Sequence, residues 1–130
     1  MIEIWIVDDV ARHRDEVALV INKIDSAKLL QFEKAQDALY ELIHRTNNNL
    51  ALPKIIILDR NLEADSPPYN IGEFVVGKIK SNPKLKNIVV VAHSSIKKCN
   101  DDMLAAGADI AFSKNNQEEI KRFITDTINQ

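Results

Sequence analysis

The chain has a single cysteine, Cys99, which excludes an internal disulfide framework and leaves no CxxC-type metal spacing. It reads as a small apolar residue near a helix. A dominant charge of one sign is also missing. Seventeen Lys and Arg face nineteen Asp and Glu, a net charge of −2, so no overall basic field draws the chain to nucleic acid or a membrane surface. No run of eighteen apolar residues occurs. Residue 2 enters a strand-like run without a signal-peptide pattern, and the expected location is the cytoplasm. Repeats and low-complexity segments are absent. The last helical pattern is followed by no basic helix-turn-helix, and no direct nucleic-acid binding is expected. His13-Arg14-Asp15 spells the kinase catalytic tripeptide, but without a Gly-rich loop or DFG it reads as a coincidence inside a helix.

What is present fits one domain over residues 1–130, with an ordinary balance of 45% hydrophobic and 28% charged residues. Five short β-rich runs alternate with helical patterns: 2–7, 28–32, 55–58, 88–92 and 110–113. Three of them are nearly continuous apolar stretches, which suits strands covered on both faces. Between the runs, Val17, Val20, Ile21 and Ile24 form one apolar stripe at helical spacing. Leu39, Leu42 and Ile43 form another, and Ile120, Phe123, Ile124 and Ile128 a third. Asn70 with Glu73, and Asn116 with Glu119, resemble N-caps with an acid three residues on. Asn82-Pro83 closes the third helix. Strict alternation implies a doubly wound (βα)5 parallel sheet with right-handed crossovers and helices on both faces. Ligands of such sheets bind beyond the carboxyl ends of the strands.

The chemistry-bearing residues fall at those ends. The first strand runs out into Asp8-Asp9 and the third into Asp59. The fourth is followed by His93-Ser94-Ser95 and the fifth by Lys114. Three carboxylates brought together repel one another, and a divalent cation removes the conflict. An all-oxygen site with few protein ligands suits Mg²⁺ better than Zn²⁺. A carboxylate beside a metal, a lysine and a hydroxyl has a use in phosphoryl transfer. The carboxylate attacks, while cations neutralise charge on the phosphoryl oxygens. By strand alternation His93 points away from Ser94 and reads as packing. Lys78, Lys80, Lys84 and Lys86 read as a solvated basic face.

Asp8-Asp9 after a strand, Asp59 ending IIILD, Ser94 after IVVVAH and Lys114 after AGADIAFS resemble the response-regulator receiver family over nearly the whole chain. The resemblance implies a flavodoxin-like sheet of strand order 2-1-3-4-5, with Asp59 as phosphoacceptor and Ser94 and Lys114 contacting the phosphoryl group. It implies a Mg²⁺ held by Asp9 and Asp59, by Asp8 through water and by the backbone carbonyl of Asn61. It implies a sensor histidine kinase or phosphotransfer protein as donor, and self-catalysed phosphorylation and dephosphorylation rather than turnover of an external substrate. Three departures stand out. Asn115 replaces the usual proline after the lysine, so either a trans bond or local strain is expected. Ala111 replaces the aromatic switch residue. The stretch after Asp59 is about five residues longer than usual, and Leu62 to Asn70 is expected to be a lid over the site rather than core. Asn115 and Ala111 also leave open a pseudo-receiver that binds partners without phosphorylation.

Overall fold

The computed structural model describes residues 1–130. Apolar runs and helical stripes alternate in it as β1 (Ile2–Val7), α1 (Ala11–Ile21), β2 (Ala27–Phe32), α2 (Ala35–Asn47), β3 (Ile55–Leu58), α3 (Gly72–Lys80), β4 (Val89–His93), α4 (Lys97–Ala105), β5 (Ile110–Phe112) and α5 (Gln117–Ile128). All five strands pair in parallel in the order β2-β1-β3-β4-β5. β1 and β3 have the expected limits. β4 lies one residue later than expected because His93 still pairs with Phe112 of β5.

Side-chain alternation divides the interior into two layers. Trp5, Val7, Ile56, Leu58, Val90 and Ala92 pack against residues of α2, α3 and α4. Ile4, Ile6, Ile55, Ile57 and Val91 face Val17 and Ile21 of α1 and Ile120 and Ile124 of α5. Burial of each such aliphatic side chain contributes about 1.5–3 kcal/mol. The α2 stripe differs from the expected one. Ala35, Ala38 and Leu42 face the core, while Ile43 is half exposed. The two alanines add little area, so only a pattern that counts small residues would find this face.

Register brings the chemistry together. Val7 pairs with Leu58 and Leu58 with Ala92, so Asp8, Asp59 and His93 emerge side by side at one sheet edge. The Asp59 amide donates to the Val7 carbonyl at 3.0 Å, extending the ladder to the acid itself.

Three expectations are corrected here. The N-cap of α3 is Ile71 in extended conformation, not Asn70, and Glu73 instead accepts from Arg60 Nε and Nη2 at 3.1 and 3.2 Å. Asn116 does precede α5, but its amide donates to Glu119 Oε1 at 2.8 Å rather than accepting a backbone N–H. Lys80 is not part of a solvated basic face. Its ammonium donates to the carbonyls of Lys86 and Ile88 and to Asp109 Oδ2, clamping the end of α3 to the β4 and β5 entries.

The segment after Asp59 is more structural than a lid. Leu62 is fully buried in the larger core cluster, and its amide donates to the Asn70 carbonyl at 3.0 Å. Asp65 is buried and accepts from the amides of Ala35 at 2.7 Å and Gln36 at 3.0 Å. An acid thirty positions away in the chain thus caps α2, placing negative charge where unpaired N–H groups and the helix dipole favour it. Asp65→Ala is expected to lower stability by about 0.5–2 kcal/mol, the usual loss for an N-cap side chain. Urea denaturation checks this, and an unchanged midpoint would show that the cap contributes nothing.

Candidate functional site at the strand ends

Asp8 is fully buried. Its Oδ1 accepts the Val10 amide at 2.9 Å, which turns the chain into α1, and its carbonyl accepts from Arg14 Nη1 at 2.7 Å. Its Oδ2 is buried, 2.8 Å from Lys114 Nζ and 3.3 Å from His13 Nδ1. Asp9 is less buried, and its Oδ2 accepts the Ala64 amide at 3.3 Å. Asp59 presents Oδ1 to its neighbour's amide, Arg60 N, at 2.8 Å and to Lys114 Nζ at 3.2 Å. Burial pushes the Asp59 carboxyl above the usual range and the Asp8 charge adds to this. Lys114 and the Arg60 amide oppose the shift without cancelling it.

Asp8, Asp9 and Asp59 each offer one oxygen, all within 4.8 Å of one another. The donor set is oxygen only, which fits a hard dication such as Mg²⁺. The cleft is lined by Asp9, Asp59, Val10, His13, Asn61, Glu63, Ser94, Ser95, Ile96 and Lys114.

Of the residues singled out from the sequence, Asp9, Asp59, Asn61, Ser94 and Lys114 line this cleft, while Asp8 is fully buried beside Lys114. Ser94 is buried, and its Oγ accepts the Ile96 amide at 3.1 Å, which leaves the hydroxyl hydrogen free to donate. Its carbonyl receives the Lys114 amide at 3.4 Å and the Asn100 side chain at 3.1 Å. Asn100 also donates to the Phe112 carbonyl at 3.3 Å, so this one amide ties the turn after β4 to the end of β5. Asn61 keeps its side chain outward, accepting from Arg60 Nη1 at 3.1 Å. The bond between Lys114 and Asn115 is trans, the first of the two geometries expected there. Ala111 packs partly buried against the α2/α3/α4 layer.

Two residues acquire a significance their sequence context did not show. His13 stands in the site rather than being an incidental helix residue. α1 begins two residues after Asp9, so a position four beyond that acid lies on the first turn, facing the strand ends; this spacing was the available signal. His93 is buried as expected, yet both its ring nitrogens lack a partner within the protein. Burial lowers its pKa to about 4, helped by Lys114 and His13 and opposed by Asp8, so the ring is neutral at pH 7.

No family model and no curated protein matches the chain. Solved structures do. The signal receiver domain of a DNA-binding response regulator (merR) from Colwellia psychrerythraea 34H is 23% identical, covers all of both chains and has a TM-score of 0.80. The Mn²⁺-bound response regulator Rcp1 is 22% identical over 95% of this chain and 89% of that one, with a TM-score of 0.73. The phosphorylated cyanobacterial phytochrome response regulator RcpA is 21% identical over 96% and 89%, again with a TM-score of 0.73. The likeness is one of fold, and the fold is that of response-regulator receiver domains: five parallel strands in the order 2-1-3-4-5 with five helices. No helix is long and apolar enough to cross a membrane.

Proposed function

We propose that the chain is a phosphorylation-controlled signalling module that accepts a phosphoryl group on Asp59. The donor is a phosphohistidine of a sensor histidine kinase or phosphotransfer protein. The observation that carries this reading is the ammonium of Lys114, 3.2 Å from Asp59 and 2.8 Å from Asp8, beside three carboxylates that converge within 4.8 Å. Buried acids in that arrangement are costly unless cations are shared among them, and phosphoryl transfer uses such cations.

In the transfer, an Asp59 carboxylate oxygen attacks phosphorus, a P–O bond forms, and the P–N bond to the donor imidazole breaks. The imidazole leaves with the bonding pair and takes a proton from solvent. Lys114 neutralises charge on the phosphoryl oxygens, and the Ser94 hydroxyl donates to one of them. Asp9, Asp59 and the Asn61 carbonyl, with Asp8 through water, would hold a Mg²⁺, which would supply further charge neutralisation. The chemistry is confined to the chain's own aspartate, with no external substrate turned over.

A pseudo-receiver, the competing reading, needs neither metal nor Asp59. Mg²⁺ titration by calorimetry separates the two. The expected result is a single site, weakened about tenfold or more by Asp9→Asn and less by Asp8→Asn. A direct ligand loses a bond, whereas a carboxylate acting through water is partly replaced by solvent. Absence of Mg²⁺ binding, or equal affinity in Asp9→Asn and wild type, would count against the proposal.

A further inference from the structure

Lys114 Nζ has contacts of two kinds. Toward Asp8 and Asp59 it forms ion pairs, and Asp8 Oδ2, despite lying 2.8 Å away, has no partner in hydrogen-bonding geometry. Toward His13 Nδ1 it makes a directed hydrogen bond of 2.9 Å. An ammonium only donates, so in this contact Nδ1 is the acceptor; the same Nδ1 lies 3.3 Å from Asp8 Oδ2. The remaining hydrogen bonds of Lys114 are backbone ones, its amide to the Ser94 carbonyl and its carbonyl from Gln117 Nε2 at 2.9 Å. They position the main chain and leave a flexible four-carbon stem beyond it. His13 is thus the one group outside the acid cluster that fixes where the ammonium lies.

We infer that His13 is a positioning residue for Lys114, holding its ammonium over the cleft when the oxygens of Asp8 and Asp59 are shared with a divalent cation. This rests on the reading of Asp59 as phosphoacceptor. With a dication among the three acids, the attraction that draws Nζ inward weakens and like-charge repulsion drives it outward. The imidazole stands on the first turn of α1, is not one of the oxygen donors that would take the cation, and meets Nζ through Nδ1 at 2.9 Å. Its bond to Nζ therefore survives cation binding and keeps the ammonium within reach of Asp59 Oδ1, where the phosphoryl group arrives. No other side chain offers Nζ an acceptor in hydrogen-bonding geometry.

The test uses the full chain with two variants, His13→Leu, which has no acceptor, and His13→Asn, whose carbonyl oxygen can replace Nδ1. Two quantities are read in saturating Mg²⁺. One is the NMR signal of the Lys114 ammonium protons, assigned by its loss in Lys114→Arg. The other is the initial rate of phosphorylation by acetyl phosphate. A held ammonium exchanges slowly with water and gives a signal, while a free one does not. The signal is expected in wild type and His13→Asn and absent from His13→Leu. The rate is expected to fall roughly tenfold in His13→Leu, the size of one lost hydrogen bond to a charged group, and to recover mostly in His13→Asn. A persistent Lys114 signal in His13→Leu, or equal losses in both variants while each keeps the wild-type melting temperature, would overturn the inference. If wild type takes up no phosphoryl group, the Asp59 reading fails, and the ammonium signal alone still decides the role of His13.

Discussion

Replacing Lys114 with methionine is expected to lower the stability of the chain by about 3–5 kcal/mol in buffer containing a chelator, the cost of removing one partner from a buried ion pair. The side chains involved are nearly inaccessible, 10% exposed for Lys114, 8% for Asp59 and 0% for Asp8, so solvent cannot take over the lost contacts. Methionine fills a similar volume, and the loss is electrostatic rather than a cavity. Two further results follow from the same geometry. Mg²⁺ should return part of the stability, because a dication replaces the missing positive charge and binds only the folded chain. Adding Asp59→Asn to Lys114→Met should also recover part of it, since one unpaired carboxylate then disappears and the two changes are not additive. Phosphoryl uptake should nevertheless stay depressed by about 10²–10³, because the group that faces the developing charge is gone. Chemical denaturation with and without Mg²⁺ reads the first three effects. A midpoint equal to wild type in chelator would show that Lys114 is not what balances the acids.

Much of this site could be read in the sequence because it is organised by strand ends. An apolar run that stops at an acid announces both the strand and the position of the carboxylate at its edge, which located Asp8, Asp9 and Asp59, and the end of the fifth run located Lys114 in the same manner. The parallel sheet followed from alternation of the two element types, and its strand order from the family resemblance. What stayed hidden depends on residues distant in the chain. Asp65 caps a helix thirty positions earlier, and no local pattern marks an acid in a proline-containing loop as a cap. Lys80 is tied down by Asp109 and by two backbone carbonyls, while its neighbours in sequence suggested only a basic face. Glu73 looked like half of a capping box, but the Arg60 guanidinium competes for it with two donors in fork geometry. His13 lay hidden inside a familiar tripeptide. Its distance from Asp9 along a helix was the informative feature, and the identity of the tripeptide was not.

The second large effect concerns pH. Neutral His93 is favoured by the fold, with a pKa of about 4 against 6.5 for the free side chain. The unfolded imidazole takes up a proton as pH falls through 6.5, whereas the folded one does not until pH approaches 4. This contribution to stability is therefore complete above 6.5 and lost between 6.5 and 4. The loss reaches about 3 kcal/mol, at 1.36 kcal/mol for each pH unit of difference. His93→Leu keeps the side chain close in volume, removes the titration, and deletes two ring nitrogens that have no protein partner. The variant should be at least as stable as wild type at pH 7, and between pH 7 and 4.5 it should lose about 2–3 kcal/mol less. Denaturant titrations at the two pH values give the comparison. Parallel losses in the two proteins would mean that His93 is protonated in the fold or is not buried from solvent.

Asp59 is the residue on which the functional reading depends. It combines a carboxylate placed among three acids with a cation at 3.2 Å and a pKa displaced upward by burial and by Asp8. The most direct measurement is mass spectrometry of the intact chain after incubation with acetyl phosphate, in Mg²⁺ and in chelator, followed by mapping of the modified residue. The account predicts one phosphoryl group per chain, formed in Mg²⁺, located on Asp59 and abolished by Asp59→Asn. No adduct in Mg²⁺, or the same adduct retained in Asp59→Asn, would contradict it.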